Sequence, residues 1–173
     1  TIFNTPILTN TGIIKGTGNK TYPNGTTFNS SSNSTLEGSL HTIAIGAILN
    51  IENINMKNNT ALTVDGIMNW TGNVDIHNSC DIVAGTLTIN GTWNIIHLGD
   101  RVWARTIIIN NGTINKTTNT KTTFANNCQA GSFTNNGSIS LDAGETYQFE
   151  NNTILNGSFI NNGNLISAST TSF

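Results

Sequence analysis

Thr86–Ile95 reads TLTINGTWNI and, one spacer later, Ile107–Lys116 reads IIINNGTINK. In each, strand-forming residues flank an Asn-Gly pair, with apolar Trp93 and Ile114 two residues after the glycine and apolar Leu87 and Ile108 four before it. That is strand, tight turn, strand, with glycine accepting a positive φ that a Cβ would resist. The pattern recurs outward in both directions, at Ile7–Gly16, Ser34–Ile43, Ala61–Trp70, Ser132–Leu141 and Ser158–Ser167. Its anchor glycines are Gly12, Gly38, Gly66, Gly91, Gly112, Gly137 and Gly163, with gaps of 26, 28, 25, 21, 25 and 26 residues.

Asn-Gly between β-rich runs is also a hairpin signal. Hairpins, however, give no reason for one residue type to return every coil. Stacked coils do, because each residue then lies about 4.8 Å above its counterpart and like packs on like. The expected fold is all-β, a right-handed parallel β-helix (β-solenoid) of about seven coils of about 25 residues, roughly 33 Å long. Residues 1–173 form one domain in this reading. Ile14, Leu40, Met68, Trp93, Ile114, Ile139 and Leu165 are expected in one buried column. Phe124 and Phe149, each 12 residues after its glycine, are expected to stack inside. Asn10, Asn110, Asn135 and Asn161, two before their glycines, suit either an internal amide ladder or a polar groove, and the ladder is the simpler reading.

Charged residues are 9% of the chain, whereas 30 Asn and 28 Thr carry most of its polarity. Soluble domains usually hold about 25% charged residues. Seven Lys+Arg and a net charge of −2 argue against a nucleic-acid partner, which needs clustered cations. No apolar run reaches the roughly 18 residues of a membrane helix.

Chemistry is sparse. The best carboxylate set for a β-helical lyase or glycosidase is Asp75, Asp81 and Asp100 with Arg101 or Arg105, but Asp75 and Asp81 fall on one coil at different corners. No catalytic residue, metal site or cofactor is expected. His41, His77 and His97 share no ligand spacing and read as isolated surface or turn residues. In Gly99–Arg105, strand alternation leaves two choices. Arg101, Trp103 and Arg105 face outward as a contact for a sugar or protein, or Trp103 joins the Phe124–Phe149 stack and draws the arginines inward. Sequons offer glycosylation sites at Asn24, Asn58, Asn90, Asn111 and Asn156. Cys80 and Cys128, two coils and about 9.6 Å apart, are too distant for the roughly 7 Å of a disulfide.

The recurring N-N-G turn between short β-branched strands resembles the β-helical shafts of bacterial surface proteins, namely filamentous haemagglutinin-like adhesins and autotransporter passenger domains. The F-x-N-N segments followed by Gly and Ser, Phe124–Ser132 and Phe149–Ser158, also resemble chlamydial polymorphic membrane protein repeats, without their G-G-A-I element. The resemblance implies a right-handed helix, export to the cell surface, and a non-enzymatic role in adhesion or as a filament subunit. The expected partners are neighbouring coils or identical subunits at both ends, since neither Thr1-Ile2-Phe3 nor Ser158–Phe173 looks like a cap. A glycan or host surface protein is the other partner class. The competing functional class is a β-helical carbohydrate-active enzyme or glycan-binding module.

Overall fold

The computed structural model describes residues 1–173 except 32, 73, 78–84, 117, 119, 126–131, 142–143, 150–151, 156–157, 162–163, 168–170 and 173. It describes the backbone but not the side chains of 77, 125, 141, 152–155, 158–161, 164–165, 167 and 171–172. All of its pairing is parallel and no helix occurs among the described residues.

The strands visit three faces in strict rotation. The first face is an eight-stranded sheet from Ile7–Asn10 to Ser158–Asn161, and the third is an eight-stranded sheet from Lys20–Tyr22 to Thr171–Ser172. The second face is split. Ile13–Lys15, Thr35–Glu37 and Asn55–Lys57 make a three-stranded sheet, and a separate five-stranded sheet runs from Ile76–His77 to Asn164–Ser167. The chain is therefore a parallel β-solenoid. It makes about six turns, so the coil count departs slightly from the expected seven. Coils are also shorter than expected in places: equivalent asparagines are 21, 19, 25 and 21 residues apart.

Alternation decides what is inside. On the first face Leu8, Phe28, Leu49, Met68, Trp93, Ile114 and Ile139 lie in register, and all from Phe28 onward are buried. The third face contributes His41, Leu62, Leu87, Ile108 and Phe133. The second contributes Ile76, Trp103, Phe124 and Phe149. Phe124 and Phe149 stack as expected, with ring centroids 5.4 Å apart.

The expected column is right at its centre and wrong at its ends. Met68, Trp93, Ile114 and Ile139 do stack, but Ile14 lies on the second face with Leu36 and Met56. Leu40 opens a third-face strand and is 36% exposed, and Leu165 pairs with Tyr147 on the second face. Gly12 lies at the corner between first and second faces, Gly38 between second and third, and Gly66, Gly91, Gly112 and Gly137 between third and first. A strand–polar–Gly–strand pattern suits every corner, so it cannot tell one from another. The inner amide ladder is likewise shorter than expected. Asn110 Nδ2 donates to Asn135 Oδ1 at 2.6 Å with both residues fully buried, whereas Asn10 sits at another corner and donates to Ser34 Oγ. The side chain of Asn161 lies outside the described residues, as do both cysteines.

The reason for glycine at the repeated corner also needs correcting. Among the described anchors only Gly38 has a positive φ, of 69°. At Gly91, Gly112 and Gly137 a Cβ would instead fall inside the carbonyl oxygen of the glycine one coil below, Gly66, Gly91 and Gly112 respectively. The corner is closed by coil-to-coil bonds, Gly112 N to Ile89 O at 3.0 Å and Thr113 N to Gly91 O at 2.9 Å, which leave no room for a methyl group. Gly112→Ala is expected to destabilise the fold by about 1–3 kcal/mol through overpacking, measured by urea denaturation. A loss below about 0.5 kcal/mol would mean that the corner opens without strain.

Candidate functional site

The segment around Trp103 is the first place to test for exposed chemistry. Trp103 points inward: it is 1% exposed, its Nε1 donates to Thr106 Oγ1 at 2.9 Å, and its ring lies 5.3 Å from Trp70 and 5.0 Å from Trp93. The outward alternative for this residue is thereby corrected, because the aromatic core gains more from the ring than the surface would. From this position it offers no face to a sugar. Arg101 and Arg105 are half-buried, Arg101 Nη1 donates to the Asp100 carbonyl at 2.7 Å, and Arg105 takes a φ of 64° as the chain turns the corner.

Two of these acids serve the scaffold. Asp75 Oδ1 accepts the Val102 amide at 2.9 Å, and Asp100 Oδ1 accepts the Lys121 amide at 2.8 Å. Each caps a strand in the coil above it. Asp81 lies outside the described residues, and no group of three or more His, Cys, Asp or Glu placed to hold a metal occurs among the described ones.

The histidines overturn their surface reading. His41 and His97 are fully buried; the side chain of His77 lies outside the described residues. His97 Nδ1 is 2.9 Å from the Gly99 carbonyl and Nε2 is 2.9 Å from Thr122 Oγ1, so Nδ1 donates and Nε2 accepts in the neutral ring. Burial first, and then the Lys116 ammonium, pushes it down to about 4. Lys116 itself occupies the inward position held by Ile51, Trp70 and Ile95 in earlier coils. Its Nζ donates to Thr118 O at 2.6 Å and Thr120 Oγ1 at 2.9 Å, while burial lowers its pKa to about 8.

Ser39 comes nearest to a nucleophile. Its Oγ is 2.8 Å from Lys20 Nζ and 3.1 Å from His41 Nε2, and His41 Nδ1 is 3.1 Å from the Tyr22 hydroxyl. Yet burial, and then Lys20, pushes His41 down to about 4, too weak a base to take a hydroxyl proton near neutral pH. Lys20 also donates to the carbonyls of Gly16 and Gly18. This chain of contacts satisfies buried polar groups in the early coils.

No family model, curated protein or solved structure matches this chain.

What remains outside is amide. On the first face Asn115, Asn94, Asn69, Asn50 and Asn29 form an outward ladder, each Nδ2 donating to the next Oδ1 at 3.3, 2.9, 2.9 and 2.9 Å. At the third-to-first corner, Asn136 donates to Asn111, Asn111 to Asn90 and Asn90 to Asp65, at 3.0, 3.0 and 2.8 Å. Two sequon residues, Asn90 and Asn111, thus belong to an exposed ladder, and Asn58 donates to Glu37 Oε1 at 2.7 Å. Asn24 is exposed at its corner, and Asn156 lies outside the described residues. The sequence carried a sign of the outer ladder in the apolar-Asn pairs Phe28-Asn29, Leu49-Asn50, Met68-Asn69, Trp93-Asn94 and Ile114-Asn115. The glycine motif marks a different phase of the coil and so does not point to this more regular signal.

Proposed function

We propose that the chain is a non-enzymatic extracellular surface protein, a stiff β-solenoid shaft used for adhesion or as a subunit of a stacked filament. The observation that carries this reading is the use to which surface polarity is put. Asp65, Asp75, Asp100 and Glu37 accept hydrogen bonds from an adjacent coil, and the outer asparagines bond one another along the axis. Side chains engaged in this way stiffen a rod and leave few free groups for general acid or base work. At one end, strands Ile7–Asn10 and Ile13–Lys15 pair on one side only, and Ile2, Ile7 and Ile13 are exposed by 60% or more. The same reading has this edge covered by further coils or by an identical subunit.

Antibodies raised against the chain test the location. Intact cells of the source organism are expected to be labelled, and label appearing only after permeabilisation would overturn the reading. The chemistry is tested with a panel of neutral and acidic polysaccharides. No chain cleavage is expected, and release of reducing ends or of unsaturated products would favour a carbohydrate-active enzyme instead.

A further inference from the structure

We propose that the outer asparagine ladder and the recess at its head bind a neutral, linear, β-linked polysaccharide lying along the solenoid axis, about one sugar per coil. The proposal stands on ladder geometry and holds wherever the protein is located.

An asparagine side chain has two N–H donors and two acceptor lone pairs. In the ladder each interior amide uses one donor and one lone pair on its neighbours, so one of each remains for solvent. A sugar hydroxyl, which donates and accepts together, matches that pair. All four ladder bonds point the same way, toward Asn29. The corner ladder runs in the same direction but ends on the Asp65 carboxylate. The outer one has Thr9 in register beyond Asn29, and Asn29 donates to no protein group among the described residues. Its amide lines a recess of about 290 Å³ shared with Thr9, Ser31, Asn50, Glu52 and Thr71.

The chemical class follows from the lining. Among the described residues Glu52 is the recess's only charged one, with no lysine or arginine lining it, so an anionic chain would meet repulsion and no counter-charge. The parallel column two residues earlier, Thr27, Ile48, Ile67, Thr92 and Thr113, places methyl groups beside the amides. Sugar rings present hydroxyl edges and apolar C–H faces, and this strip offers a partner to both. The amides are already held by one another, so little side-chain entropy is lost on binding. Coils repeat at about 4.8 Å, near the advance of one ring in an extended β-linked glycan; alternate rings are turned over, so the same contact can be made again in every second coil. Single contacts of this kind are weak, and affinity comes from their number.

Affinity electrophoresis in gels cast with hydroxyethylcellulose provides the test. The protein is expected to be retarded by this neutral β-linked polymer and not by alginate. Cellohexaose is expected to compete at least about tenfold better than cellobiose, because it spans more rungs. Asn69→Ala/Asn94→Ala is expected to weaken retardation about fivefold or more with an unchanged circular dichroism spectrum, while Asn90→Ala in the corner ladder leaves it unaltered. Should the double variant fail to fold, the exposed Glu52→Ala serves in its place and is expected to weaken retardation about threefold. Absence of retardation by hydroxyethylcellulose, equal retardation of these ladder or recess variants, or preference for alginate would each overturn the proposal.

Discussion

Replacing Trp93 with alanine is expected to lower the unfolding free energy by about 3–5 kcal/mol, among the largest losses a single core truncation produces. Trp93 is fully buried and stands between three elements of the aromatic core. Its ring centroid is 6.5 Å from Trp70, 5.0 Å from Trp103 and 5.9 Å from Phe124. In a solenoid each coil is the floor of the next, so the cavity opens onto the coils on both sides and neither can close over it without leaving register. Thr92→Ala on the outward face of the same strand is the control, with an expected change below about 0.5 kcal/mol. Urea denaturation followed by circular dichroism reads both. A loss under about 1 kcal/mol for Trp93→Ala would place the side chain outside the core.

Mild acid is expected to act as strongly through His41 and His97. Both are held neutral inside, with pKa values near 4, mainly by burial and further by Lys20 and Lys116 respectively. An unfolded chain returns each to about 6.5. Below that value the unfolded state binds protons that the folded state refuses, so stability falls with falling pH. The contribution is fully present above about pH 6.5 and is lost progressively down to about pH 4, by about 2–3 kcal/mol for each histidine. Urea midpoints should therefore fall steadily across this window. The imidazole resonances of both residues should stay at their neutral positions until the protein unfolds or the pH nears 4. A pH-independent midpoint, or an imidazole titrating near 6.5 in the folded protein, would contradict the assignment.

The sequence by itself determined the class of fold and the centre of the core, where Met68, Trp93, Ile114 and Ile139 stack as expected. Strict alternation through Leu87, Ile89, Trp93 and Ile95, or through Ile108, Ile114 and Phe133, admits one face in and one face out, and all of these are buried. Recurrence of like residues at coil spacing then requires stacking rather than hairpins. Low charge and abundant asparagine were also legible as a polar surface made without ions. That class of side chain leaves little with which to build an active site.

Only the tertiary structure decided phase and direction. Which of three corners a polar-Gly pair occupies depends on how many residues the preceding coil has used, and coils of 19 to 25 residues shift that count each turn. Gly12 and Gly38 therefore fell on corners different from that of Gly66, and Ile14 and Leu40 fell on other faces with them. Trp103 presented the same ambiguity on a smaller scale. Alternation permits either direction, and the rings of Trp70 and Trp93 beneath it settle the matter by accepting its area and Thr106 by accepting its N–H. His41, His97 and Lys116 went inside because hydroxyls and carbonyls were there to satisfy them. For His41 and His97 the partners Tyr22 and Thr122 lie about a full coil away in sequence and become neighbours only once the chain has wound, whereas Thr118 and Thr120 are two and four residues beyond Lys116. The outer amide ladder arises in the same way: five asparagines separated by unequal spacers become one continuous hydrogen-bonded line because parallel stacking erases the differences between the spacers.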